Sequence, residues 1–228
     1  MIHLTLLTGL DAAAVMVLLA SWAGLGVLIE NPPAARPSVS LLMQQYRRDW
    51  MRQFVTRQPR IFDATVIDSL RQGTAFFASA CMLAIGGGVA LIGNVSQLEG
   101  LAADLTLEQD AVPTELKIIL VIGFLANALL KFVWAHRLFG YCSIIMAAVP
   151  NDPADPTAYH IATKAAEINI TSAKSFNRGL RSIYFALGAL GWLLGPWGLL
   201  VATLVTASVL ARREFASVSR EVMLSRQG

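Results

Sequence analysis

The sequence predicts an all-α, polytopic membrane protein with about four to five membrane helices and a cytoplasmic amphipathic helix at the interface. Three observations carry this. Long stretches almost free of charge recur along the chain, and a bilayer span needs about 20 apolar residues. Of the 228 residues, 55% are hydrophobic and 14% charged, against about 25% charged in ordinary globular domains. The charges are also segregated. Seven arginines lie between Pro32 and Arg71, five Lys or Arg between His136 and Arg181, and four arginines after Ala211. The stretch from Asn94 to Glu115 has five acids and no base.

The whole chain, 1–228, reads as a single helical membrane domain. Its first span is expected at about 10–29, as an uncleaved helix. No basic n-region precedes it, Asp11 interrupts it, and it is too long for a signal-peptide core. Asp11 is expected at one membrane face, as a capping or interfacial acid. Asn31-Pro32-Pro33 then ends the helix. From about 38 to 58, Leu42, Met43, Tyr46, Trp50 and Phe54 recur at helical spacing, with Arg47, Arg48 and Arg52 elsewhere on the helix. That pattern suits a helix in the membrane interface, where Arg47, Arg48, Arg52 and Trp50 would meet headgroups. It also suits a helix packed on the protein's own cytoplasmic surface.

A short helix from Arg60 to Arg71 is expected to lead into span two, at about 74–92. Ala84 and Gly88 there form a small-xxx-small pair, the pattern that lets helices approach closely in lipid. The acidic, base-free loop follows, and the positive-inside rule places it outside. Span three is expected at about 116–135. Its end carries Asn127, Lys131 and Arg137, which suggest either a snorkelling interfacial set or an anion site shared with Arg178 and Arg181. A helical extension at 136–181 is assigned to the cytoplasm, broken by the turn Pro150–Pro156.

The stretch from Arg181 to Arg213 carries no charge between its flanking arginines, and Gly195-Pro196 stands at its middle. Charge segregation favours two short helices, at about 182–194 and 197–211, joined at Gly-Pro, with one Pro-kinked span or a re-entrant hairpin as the alternatives. Gly191 and Gly195 then form a helix-packing pair, and Trp192 and Trp197 fall in the outer interfacial belt. The N-terminus is expected outside and the C-terminus in the cytoplasm.

Phe176-Asn177-Arg178-Gly179-Leu180-Arg181, Gly195-Pro196-Trp197, Arg212-Arg213-Glu214-Phe215 and Trp134-Ala135-His136-Arg137 resemble segments of an uncharacterised family. That family comprises bacterial inner-membrane proteins with plant relatives. The resemblance covers nearly the whole chain. It implies a multi-span protein of the bacterial inner membrane and implies no activity.

No hydrolase triad, P-loop, dinucleotide fingerprint or metalloprotease motif is present, so no catalytic residues are assigned and the chain is read as not an enzyme. Cys81 and Cys142 stand apart in apolar segments, and the three histidines are scattered. No metal site or cofactor is expected. Expected partners are the lipid bilayer and either a second copy of the chain or another membrane protein, with no nucleic acid. The leading functional expectation is a structural or accessory subunit. The alternative is a small channel or transporter for an anionic or lipid-like solute, using Lys131, Arg137, Arg178 and Arg181.

Overall fold

A computed structural model describes residues 8–95 and 112–225. Most of the acidic loop lies outside the described residues. Every regular element among the described residues is helical. The order is α1 (Gly9–Glu30), α2 (Val39–Thr56), α3 (Ile61–Ile92), α4 (Thr114–Ala147), α5 (Ala158–Ala189), a 3-10 turn (Leu190–Leu194), α6 (Gly195–Phe215) and α7 (Val218–Leu224). Four helical stretches are long and apolar enough to cross a membrane, the last being Ala158–Leu224. The chain is a multi-pass helical membrane protein.

Local chemistry sets the helix ends. Thr8 caps α1: its hydroxyl accepts from the Asp11 amide at 3.1 Å and donates to the Asp11 carboxylate. The first of these bonds satisfies one of the amide donors that a helix N-terminus otherwise leaves open. Ser38 caps α2 by accepting from the Leu41 amide at 3.1 Å, and it donates to the Ile29 carbonyl at 2.8 Å. One buried hydroxyl thus joins the end of α1 to the start of α2. After the proline turn, helix α5 begins at Ala158, and the Asp155 carboxylate holds the Thr157 amide and hydroxyl at 2.8 and 2.6 Å.

Helix α3 joins the expected short helix and the second span into one piece of 32 residues. Nothing between Arg71 and Thr74 breaks it, and the Thr74 hydroxyl turns back to the Arg71 carbonyl at 2.6 Å. At 1.5 Å per residue such a helix is about 48 Å long, which exceeds a hydrocarbon core of about 30 Å. Its first turns must therefore project beyond the apolar layer. Helices α4 and α5, with 34 and 32 residues, share this property.

Antiparallel pairing stacks the long helices. Gly88 of α3 lies against Ile122 of α4, while Thr74 meets His136 at 3.1 Å. Between α4 and α5, Asn127 donates to Ser182 at 2.6 Å and the Cys142 thiol to the Ala165 carbonyl at 3.4 Å. Midway, Gly179 leaves room for Phe132, whose ring would lie 2.7 Å from a Cβ there. Phe132 stacks on Phe77, with Phe176 beside both. These aromatics lock α3, α4 and α5 at one level.

After α5 the chain reverses. Gly195 sits at φ 84°, a left-handed conformation that disfavours side chains. Helix α6 then runs back along α5. A Cβ on Gly191 would lie 2.6 Å from the Ala202 Cβ, and one on Gly198 would lie 2.4 Å from the Gly191 carbonyl oxygen. Further along, the Arg213 guanidinium reaches the Tyr184 hydroxyl. The close backbone approach is therefore between Gly191 and Gly198 across the hairpin, and Gly195 supplies the turn. Trp192 is buried and donates to the Asp11 carboxylate at 2.8 Å, so it belongs to the core and not to an outer belt. Trp197 is 68% exposed. Ala84 is exposed on α3 while Gly88 packs on α4, so the pair divides between an open face and a packed one.

Two ends result. At one lie the start of α1, the end of α3, the start of α4 and the Gly195 turn. At the other lie Glu30, Thr74, His136, Arg178 and Arg213. Helices α1, α3, α4, α5 and α6 each run between them. The core follows this division. Ala14, Leu18, Phe124, Phe185, Trp192 and Leu199 pack together at the first end. Met51, Phe54, Phe139, Met146 and Ala162 pack where α2 joins the projecting turns of α3, α4 and α5.

Gly198→Ala should destabilise the protein by about 1–3 kcal/mol, as overpacking against backbone does. Gly86→Ala, where a Cβ meets nothing within 4 Å, should be neutral or slightly stabilising. Thermal unfolding of both variants in detergent checks the contrast.

Candidate functional site

Two of the residues singled out from sequence, Arg178 and Arg181, meet Glu30 at the junction of α1, α2, α5 and α6. Glu30 closes α1, where the helix dipole is negative and a carboxylate is disfavoured. Two arginines of α5 relieve this. Arg178 donates through Nε to one Glu30 oxygen at 2.9 Å and through a terminal nitrogen to the other. Arg181 reaches the first oxygen as well. Their spacing of three places both on one helix face. The Arg181 side chain is 9% exposed and Arg178 48%. Gly26, one turn before Glu30, faces the Arg181 guanidinium, and a Cβ there would meet it in ordinary van der Waals contact at 3.9 Å.

The same junction engages the segment after α6. The Glu214 carboxylate accepts from the Ser40 amide and hydroxyl, each at 3.0 Å, at the first turn of α2. Asn177 reaches the Ser40 hydroxyl at 3.4 Å. Arg36 donates to the Phe215 carbonyl at 3.3 Å, and Arg220 to the Pro37 carbonyl at 2.9 Å. The segments 176–181 and 212–215 are thus two sides of one knot around residues 30–40.

Other expected site residues go elsewhere. Asn127 is engaged with Ser182. The Lys131 carbonyl accepts from the Ser175 hydroxyl at 2.9 Å. Arg137 is exposed and lies 5.6 Å from the Tyr141 ring, with Nε on the phenolic oxygen. His136 contacts Thr74 and, at 3.3 Å, the Arg71 carbonyl. Arg178 and Arg181 converge on Glu30, and Arg137 points away on its own helix face.

Helix α2 turns Arg47 and Arg48 toward partners on α5. Arg47 donates to the Asn169 amide oxygen, and Asn169 in turn contacts the Cys142 sulfur at 3.6 Å. Arg48 pairs with Glu167 at 2.7 Å. Burial lowers the Arg47 guanidinium from its ordinary value, while the Glu167 hydrogen bond raises that of Arg48. Trp50 donates to Asp63 at 2.6 Å, and Arg57 reaches the same carboxylate oxygen at 2.6 Å. Arg52 stays exposed, 3.9 Å from Asp49. Arg60 gathers the carbonyls of Val149 and Pro150 at 2.8 Å and Val55 at 3.2 Å. It thereby supplies donors to backbone groups that helix C-termini leave open.

Sequence reasoning missed Glu30, Ser40, Glu167, Asn169 and Glu214. Glu30 carried the clearest signal, being a carboxylate in the last helical turn of an apolar span, where it requires a cationic partner.

An all-helical, multi-pass bundle tied at one end by an arginine–carboxylate knot defines the class. The chain belongs to the family described as "Protein of unknown function, DUF599", whose model matches residues 13–219. Neither the curated proteins nor the solved structures give a match.

Glu30→Gln leaves two guanidiniums without their charge partner. It should lower stability by about 2–3 kcal/mol, less than for a fully buried pair because Arg178 keeps water contact. Arg48→Gln, at an exposed pair, should cost under about 1 kcal/mol. Comparing the two unfolding midpoints checks the order.

Proposed function

We propose that this chain is a structural or accessory membrane protein that associates with a second copy or with a larger membrane complex. The observation that carries this is the open face of α3. This helix packs on α4 and leaves Phe76, Met82, Leu83 and Val89 each more than half exposed. Ala84 is exposed beside them, and a Cβ on Gly86 or Gly87 would meet nothing within 4 Å. In lipid, such a surface of small and apolar residues suits helix-on-helix packing.

The alternative reading is a channel or transporter for an anionic or lipid-like solute. It requires Lys131, Arg137, Arg178 and Arg181 to act together. Arg178 and Arg181 hold Glu30, and Arg137 holds Tyr141. That engagement favours the scaffold reading.

The proposed setting is a bacterial inner membrane, with helices α1, α3, α4, α5 and α6 crossing it. The basic end faces the cytoplasm, by the positive-inside rule. The N-terminus is then outside and the C-terminus inside.

Gly87→Cys, in a Cys81→Ala, Cys142→Ala background, should form an oxidised dimer in native membranes, or an adduct with a co-purifying membrane protein. Monomer alone, with no adduct, contradicts association through α3. In right-side-out vesicles a tag after Gly228 should resist added protease, and in inverted vesicles it should be cut. The reverse pattern contradicts the orientation.

A further inference from the structure

The segment after α6 does more than end the chain. Arg212 and Arg213 occupy the last turn of α6, where the apolar run stops. The chain bends at Ala216 and forms the short helix α7 beside the 31–37 linker. Arg220 and Arg36 lace tail and linker together through the Pro37 and Phe215 carbonyls. The result is a plate at the basic end of the bundle, carrying Arg36, Arg212, Arg213 and Arg220. Val218 and Val222, four apart on α7, are 75% and 62% exposed.

The acids beside this plate do not neutralise it. Glu214 is occupied by the Ser40 amide and hydroxyl. Glu221 is the exposed acid of α7, against four arginines. Arg212 is exposed, and its side chain holds no hydrogen bond or ion pair among the described residues. Arg213 lies 5.5 Å from the ring of Tyr184, and tyrosine favours headgroup depth. Cations at the edge of an apolar layer, next to exposed valines, fit an anionic lipid surface better than a soluble anion.

We propose that the plate formed by the linker and tail, Arg36, Arg212, Arg213 and Arg220 with Val218 and Val222, binds anionic phospholipid headgroups. The guanidiniums take the phosphates and the valines enter the acyl boundary. On helix α2, by contrast, Arg47 is bonded to Asn169 and Arg48 is charge-paired with Glu167. The inference rests on the membrane-spanning fold and is independent of self-association.

The test uses the full chain in phosphatidylcholine vesicles with trace spin-labelled phosphatidylglycerol or phosphatidylcholine. The motionally restricted fraction reports selectivity at the protein surface. The wild type should prefer phosphatidylglycerol. Arg212→Gln, which breaks no side-chain bond of the fold, should reduce that preference by up to about fivefold, since one arginine near a charged surface contributes on that scale. Arg36→Gln, Arg212→Gln and Arg220→Gln combined should abolish it. The triple change at Arg47, Arg48 and Arg52 should leave it intact. Full selectivity in the Arg212→Gln variant would overturn the proposal. So would loss of selectivity through the α2 triple change alone, or displacement by inorganic phosphate beyond that by chloride at matched ionic strength.

Discussion

A carboxylate at the C-terminal end of an apolar helix is doubly unfavourable. It faces the negative end of the helix dipole, and it stands where water becomes scarce. Glu30 occupies that place, and two arginines of α5 converge on it. The pairing fixes where α1 ends relative to α5, and hence where the linker to α2 must begin. Ser38 and Ser40 then act over short distances, one joining Ile29 and the other joining Glu214. With the linker held this way, α2 lies along α5 and α6 returns beside α1. The bundle's lower half is organised from this one charge constraint.

The upper half obeys packing more than charge. Without a hydrophobic drive between helices in lipid, association depends on close contact and a few hydrogen bonds. The sequence supplies both. Gly191 in the 3-10 turn and Gly198 of α6 come to backbone contact, Gly179 admits the Phe132 ring, and Trp192 meets Asp11. Asp11 has two tasks, taking part in the cap of its own helix and accepting from a tryptophan nearly the whole chain away. Helix α3 lacks comparable ties on its outer side, which is why it presents the open face.

Much of this was legible. Apolar length and charge segregation give the helical membrane class, and Gly195-Pro196 marks the reversal because the turn needs a residue tolerant of positive φ. The segments 176–181 and 212–215 were recognisable as special, but their joint purpose was not. They meet only through contacts more than a hundred residues apart with Glu30 and Ser40. Sequence patterning sees residues sharing a helix face, so for Arg47, Arg48 and Arg52 it left two readings open, a surface meeting headgroups and a helix packed on the protein itself. It cannot see that Asn169 and Glu167 stand opposite. The same limit grouped Arg178 and Arg181 with Lys131 and Arg137 as an anion site. The anion that engages the first two is a side chain of the protein itself.

Glu30 and Arg181 act as energetically coupled partners, not as two charges that happen to lie at one level. A charge-swap cycle tests it most directly, with unfolding midpoints measured for Glu30→Arg, Arg181→Glu and the double variant in the same bilayer mimetic. Each single change should be destabilising, and the double variant should recover a large part of the loss, a coupling of more than about 1 kcal/mol. Losses that simply add in the double variant would contradict it.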